Sequence, residues 1–196
     1  DRDGYVWLAS YDGLVRFDGE AFTLLSPTEG GFDGRSARVL AVGPDGALWV
    51  GTNAAGLYVL RDGAFRRYGT EDGLADLSVR SIAFDQSGGL WVGTAGGVSA
   101  MRDGRFAPAA APGDASLGIA NFVLPLPDGT VLVGSNLPGL RLIGPKGVTP
   151  YLPGQGLDAW SYAAACVDDA GSLWLGTSSG QVVRVSRNEV LDVAEP

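Results

Sequence analysis

Gly46-Ala47-Leu48-Trp49-Val50-Gly51-Thr52 is a stretch the chain writes five times. The other copies are Gly4-Tyr5-Val6-Trp7-Leu8-Ala9-Ser10, Gly88-Gly89-Leu90-Trp91-Val92-Gly93-Thr94, Gly129-Thr130-Val131-Leu132-Val133-Gly134-Ser135 and Gly171-Ser172-Leu173-Trp174-Leu175-Gly176-Thr177. Their centres, Trp7, Trp49, Trp91, Leu132 and Trp174, stand 42, 42, 41 and 42 residues apart. A fixed period of this size marks a repeat architecture and outranks any local reading of secondary structure.

Working outward from the second copy, each repeat reads as four short strands. Arg38 to Val42 is a small apolar strand, turned by Gly43-Pro44-Asp45-Gly46 into Leu48 to Thr52. Gly56 to Leu60 is the third strand, and Asp62-Gly63 signals a hairpin into Phe65 to Tyr68. Gly69 to Leu77 then leads to the next inner strand, Val79 to Phe84. Helical periodicity is absent, and turn signals recur every few residues. The fold expected is all-β: a β-propeller of four-stranded antiparallel blades, with about five blade repeats in one domain or propeller fragment over residues 1–196. A stacked β-solenoid fits less well, since its repeats are usually shorter. Trp49 is expected to fill the gap between blades while Gly51 lets neighbouring sheets approach closely.

The chain opens inside a blade, before Trp7, and closes after an outer strand near Glu189 to Val193. Two readings follow: five blades that close with one of them deficient, or part of a larger propeller. The second is favoured for the natural protein.

Composition removes several function classes. The 196 residues carry a net charge of −8, a single lysine (Lys146) and no histidine. A phosphate-tracking surface needs clustered lysine and arginine, so nucleic acid is not expected as a partner. Without histidine, the usual general base, nucleophile activator and commonest metal ligand are missing. One cysteine, Cys166, allows no internal disulfide, and its register with Ala41 and Ala83 predicts a small buried side chain. The apolar runs are too short to span a bilayer as a helix.

Asp85-Gln86-Ser87-Gly88-Gly89-Leu90-Trp91-Val92-Gly93-Thr94, with Gly56-Leu57, Asp62-Gly63, Phe65 and Asp72-Gly73-Leu74, resembles the two-component regulator propeller repeat. The opening Asp1 to Trp7 with Tyr11 to Gly19 is similar to it as well. Departures fall at Ala9 for glycine, Leu132 for tryptophan, and the Arg187-Asn188 hairpin. The resemblance implies the extracytoplasmic, periplasmic sensor part of a bacterial membrane protein. In that family a β-sandwich linker, a transmembrane helix and a cytoplasmic histidine kinase or diguanylate cyclase usually follow. Any membrane tie would then run through segments outside this chain.

The Asp-Gly turns do not make calcium loops, which need alternating oxygen ligands and a terminal glutamate. Turn chemistry explains them. Gly93-Thr94-Ala95-Gly96-Gly97 lacks the Gly-Lys-Ser/Thr and following helix of a phosphate loop. No catalytic constellation, metal site or cofactor is expected.

The copies stop agreeing where the inner strands open. Eight residues before the turn glycines Gly46, Gly88, Gly129 and Gly171 stand Arg38, Arg80, Asn121 and Ala163. Strand alternation puts that loop and the turn after each Gly-Thr on one face. Arg35, Arg38, Arg80, Asn121, Phe122, Trp160 and Tyr162 should therefore share a rim with Tyr11, Asn53 and Asn136. Arginine and asparagine interleaved with aromatics suit a sugar, an organic acid or a peptide. Ordinary loop residues, with Trp160 covering an apolar edge, are the bland alternative. If Trp160 belongs to the rim, Trp160→Ala lowers affinity and spares folding.

The function expected is a non-enzymatic sensor that binds a small molecule or a protein partner. A glycosidase- or lyase-type enzyme and a purely structural interaction propeller are the alternatives. Self-association into a dimer through exposed terminal strands stays open.

Overall fold

The computed structural model describes residues 1, 3–25, 32, 36–110 and 117–194. Among them nineteen strands form five antiparallel sheets in chain order. Blade 1 holds β1 (Val6–Ser10), β2 (Gly13–Phe17) and β3 (Phe22–Leu25). Blade 2 holds β4 (Ala37–Val42), β5 (Leu48–Thr52), β6 (Leu57–Arg61) and β7 (Ala64–Tyr68). Blade 3 runs through β8 (Val79–Phe84), β9 (Leu90–Thr94), β10 (Gly97–Arg102) and β11 (Arg105–Pro108). Blade 4 is β12 (Ala120–Pro125), β13 (Val131–Ser135), β14 (Leu140–Gly144) and β15 (Gly147–Pro150). Blade 5 is β16 (Tyr162–Val167), β17 (Leu173–Thr177), β18 (Val182–Ser186) and β19 (Glu189–Ala194). The first strands of successive sheets pack on each other, β1 on β4, β4 on β8, β8 on β12 and β12 on β16, with β1 matching the second strand of the other blades.

The repeated stretch builds the joints between blades. Trp49 is 6% exposed and sits among Val79, Leu90, Val92 and Phe106 of blade 3. It also stacks on Tyr68 at 5.8 Å between ring centroids. Gly51 supplies the close approach, since a Cβ there would lie 2.5 Å from both Val39 and Val79. Thr52 and Thr94 end their strands buried, and their hydroxyls donate to the carbonyls of Gly56 (2.8 Å) and Gly97 (2.9 Å). Gly56 has φ +90, and a Cβ would meet the Tyr68 carbonyl at 2.4 Å, so only glycine fits that turn.

In blades 1, 3 and 5 the aspartate turn is tied to the tryptophan six residues on. Asp85 accepts from the amides of Ser87 and Gly89 through one oxygen and from Trp91 Nε1 (2.9 Å) through the other. Asp168 holds Trp174 (2.8 Å) and Asp1 holds Trp7 (2.5 Å) in the same way. Blade 2 has Gly43 at this position. Blade 4 lacks both partners: Leu126 replaces the aspartate, Leu132 replaces the tryptophan, and both join one apolar cluster. Removing Asp85 strands four donors, the Ser87 hydroxyl being the fourth, so Asp85→Ala is expected to cost about 1–3 kcal/mol, read by urea unfolding.

The same turns set an acid limit. Burial pushes the Asp85 carboxyl up, but hydrogen bonds from Ser87, Trp91 and Gly89 outweigh it and hold the group below its ordinary 3.8. Trp174 and then Ser172 lower Asp168, and Thr130 lowers Asp128. A carboxylate depressed in the fold stabilises it above the unfolded pKa, and that stability is lost as pH falls through the folded value. The urea midpoint should therefore hold between about pH 5 and 7 and fall below about pH 4. Asp85→Asn should shallow that fall; an unchanged acid slope would remove the turns from the account.

One expectation is corrected here. Cys166 is exposed rather than buried. Its strand face, shared with Trp174 (36% exposed) and Val182 (41%), meets no neighbouring sheet among the described residues. On blade 1 the facing positions Val6 and Leu8 are exposed too. Blades 5 and 1 thus present open faces to solvent, and no joint closes five blades into a ring among the described residues.

Candidate functional site

The divergent residues at the inner-strand openings share one backbone feature. In blade 2, Ala37 pairs with Thr52 and Val39 with Gly51, leaving Arg38 as the extra residue of a bulge. Blade 3 skips Arg80 between Val79 and Ser81, blade 4 skips Asn121, and blade 5 skips Ala163. Two residues oppose one at each place, so the odd side chain is turned out of the ladder. Four equivalent bulges thus present Arg38, Arg80, Asn121 and Ala163 in a row along the start of the inner strands.

The loops around this row are stitched together. Asn53 N donates to Ser36 O (3.1 Å), Ala95 N to Ser78 O (3.0 Å), Asn136 N to Ile119 O (3.1 Å) and Ser178 N to Ser161 O (2.9 Å). The loop entering each inner strand therefore shares a rim with the turn after Gly-Thr or Gly-Ser, as strand alternation requires. Carbonyls of Tyr11, Leu77 and Trp160 accept from Ser36, Gly56 and Gly139, linking successive blades along the same rim.

Side chains on the rim divide into exposed readers and buried supports. Arg38 is exposed and donates from Nη1 to Asn53 Oδ1 at 3.0 Å. Partial burial and then the Arg80 charge hold its guanidinium below its ordinary pKa. Asn53 donates in turn to Ser36 Oγ, so it aims Arg38. Ser36 escaped the sequence reading, although its φ of +60 marks a constrained position. Arg80 is half-buried, and its Nε is buried without a hydrogen-bond partner among the described residues. Asn121 donates to the Tyr162 carbonyl (3.0 Å) and so bridges blades 4 and 5.

Several expected rim residues have other work. Tyr162 is fully buried, its hydroxyl donating to Leu157 O at 3.0 Å. Burial and then the charge of Asp158 push that phenol up to about 12. Phe122 is buried as well, with its ring against Gly134. Trp160 is half-buried and packs on the cluster of Phe122, Leu157 and Tyr162. Trp160→Ala is accordingly expected to cost stability as well as any affinity. Tyr11 and Asn136 are exposed on the rim. Arg35 lies outside the described residues.

A cleft of about 750 Å³ lies on the opposite face, between blades 1 and 2. Its polar groups are largely paired with one another: Asp45 with Arg61, Asp1 with Trp7, and Arg16 over the Tyr5 ring at 4.5 Å. The open polar capacity lies with the bulge row, in Arg38 and Arg80. No group of three or more metal-ligating side chains occurs among the described residues.

Comparison with known proteins agrees with the fold. Residues 73–96 match the family model described as two component regulator propeller. That span contains β8, its bulge residue Arg80, and the Trp91-Val92-Gly93-Thr94 stretch. No curated protein matches the sequence. Among solved structures, the extracellular domain of the hybrid two component system BT3049 from B. thetaiotaomicron superposes with TM-score 0.76 at 23% identity. The alignment covers 96% of this chain and 28% of that one. The corresponding domain of BT4673 from the same organism gives 0.75 at 19%, over 99% of this chain and 29% of that one. A catalytically inactive histidine-to-alanine variant of virginiamycin B lyase from Staphylococcus aureus gives 0.74 at 15%, over 99% and 66%. The chain spans under a third of the two extracellular domains, and likeness at these identities establishes the fold. The stretch matched at 73–96 recurs at a fixed period along the whole chain, and the chain is a β-propeller that carries a two component regulator propeller repeat over those residues.

Proposed function

We propose that this chain is a non-enzymatic, ligand-receiving propeller of an extracytoplasmic bacterial sensor, exposed to the periplasm, and that the bulge row is where it reads its ligand. One observation carries the reading. The scaffold residues recur from blade to blade, while the four bulge positions hold Arg38, Arg80, Asn121 and Ala163. Turned out of the ladder, these side chains are the ones the scaffold leaves available to a ligand, and two of them are arginines on adjacent blades. Ligand binding would act by favouring one arrangement of the propeller relative to its neighbouring modules, which a downstream domain then reads.

Enzymatic readings find less support. The lyase relative is described as inactive once a histidine is replaced, and this chain contains none. A glycosidase needs two available carboxylates across a cleft. Asp1, Asp85 and Asp168 are spent on their own turns and tryptophans.

The test is a thermal-shift screen against oligosaccharides, organic acids, nucleotides and peptides. A ligand selective for the native state raises the melting temperature, by about 2.7 kcal/mol of stabilisation at a hundred times Kd. A hit that disappears on replacing Asn121 and Arg38 supports the reading. A hit indifferent to both, or turnover of a screened compound, overturns it.

A further inference from the structure

We infer that the ligand read at the bulge row is a small anion whose carboxylate or phosphate oxygens are held between Arg38 and Arg80. The inference rests on the sensor reading and narrows it to a chemical class.

Four observations lead there. First, the two arginines occupy equivalent bulges of adjacent blades, on strands β4 and β8 that pack together. Both are turned out of the ladder on the same rim. Second, they are close enough for the Arg80 charge to disfavour the charged form of Arg38. Like charges held together are unfavourable, and nothing in the ladder demands them at positions where blades 4 and 5 have Asn121 and Ala163.

Third, neither has an acidic partner among the described residues. The ion pairs there are Arg61 with Asp45 and Arg67 with Glu71. Fourth, Arg80 Nε is buried with no acceptor among the described residues, a condition shared only with Arg184 Nε there, whose guanidinium already reaches Ser172 Oγ and the Trp174 ring. A buried donor without a partner is rare in native proteins and calls for an explanation at its site. A bound oxyanion supplies one, because the guanidinium fork matches carboxylate and phosphate geometry.

The supports fit the same use. Asn53 and Ser36 fix the Arg38 guanidinium before any ligand arrives, which lowers the ordering cost of binding. Ala163 adds no bulk at its place in the row. The net charge of −8 disfavours long polyanions, which would approach many acidic groups at once. A compact anion touching only the two arginines escapes most of that repulsion.

The experiment follows the arginine Nε–Hε signals of the isotope-labelled chain by NMR. Citrate and inorganic phosphate are titrated separately, at ionic strength held constant with sodium chloride. Saturable movement of the Arg80 signal with at least one probe is expected, and which probe acts tells carboxylate from phosphate. Arg80→Gln and Arg38→Gln, followed through the remaining arginine's signal, should each weaken binding at least about tenfold. Arg80→Lys keeps the charge without the fork and should fall between, which guards against Arg80→Gln failing to fold. Arg105→Gln, at the exposed start of β11, should leave affinity unchanged.

No saturable shift with either probe, or equal binding by Arg80→Gln and the parent chain, overturns the inference. The sensor reading fails separately. If a hit from the ligand screen survives Arg80→Gln but is lost with Asn121→Ala, the rim is a binding site and its ligand is not held as an anion.

Discussion

Trp49→Ala is expected to cost about 3–5 kcal/mol of folding free energy, the range for truncating a large buried aromatic. Trp49 is 6% exposed at the joint between blades 2 and 3, and its ring meets Tyr68 and Phe84 of the two sheets. For a chain of this size that loss corresponds to a fall in melting temperature of roughly 6–20 °C. Trp174→Ala is the internal control. It occupies the same position in its blade but is 36% exposed on a face no sheet covers. Its loss should be less than half as large, with part of it from the hydrogen bond to Asp168 and the Arg184 guanidinium 5.2 Å above the ring. Unfolding should be followed by circular dichroism, since both changes alter the fluorescence. Equal losses would mean that position within the blade, and not the joint, sets the energy.

The second contrast adds one carbon instead of removing a ring. Gly51→Ala places a Cβ 2.5 Å from Val39 Cγ1 and Val79 Cγ1, and 2.9 Å from Val79 Cβ. Valine is stiff about χ1, so neither side chain can swing away and strand β8 must move. Overpacking of this kind costs about 1–3 kcal/mol. At Gly176 the same carbon would meet only Ala164 of its own blade, at 3.9 Å. Gly176→Ala should be neutral, or stabilising by about 0.5 kcal/mol from reduced freedom of the unfolded chain. Melting curves of the two variants settle the matter. A penalty at Gly176 comparable with that at Gly51 would show that the glycine serves its own sheet and not the neighbour.

The architecture was legible because one blade contains all the signals of a blade and the chain repeats them. Strand order, the turns at Asp62-Gly63 and Asp103-Gly104, and the pairing of large Trp49 with small Gly51 all follow from local chemistry. The bulges left no mark of their own, since one extra residue in a strand changes neither composition nor period. Counting back from the turn glycines still reached Arg38, Arg80, Asn121 and Ala163, because each copy carries its bulge at the same offset. Tyr162 was placed on the rim although a signal against it existed. It aligns with Ala37, Val79 and Ala120, which are buried in every blade. Aligning that column of the repeat would have moved the tyrosine into the core. Asp85 was read as a turn former, and its hold on Trp91 was missed. The joint loss of both partners at Leu126 and Leu132 was the available hint. Cys166 could not have been placed from its own strand, because its exposure depends on what stands against the neighbouring face.

The bulge at each inner strand separates the residue that varies from the residues that hold the blade. At position 38, 80, 121 or 163 the backbone pairing is satisfied by the neighbours on either side. A substitution there leaves the ladder unaltered, and only at Asn121 does it also remove a bond between blades, the one to the Tyr162 carbonyl. Specificity in such a scaffold can therefore drift one blade at a time, with each copy free to acquire a charge, an amide or a methyl group. New recognition would arise by exchange at these four places, without the loss of stability that usually accompanies a remodelled site.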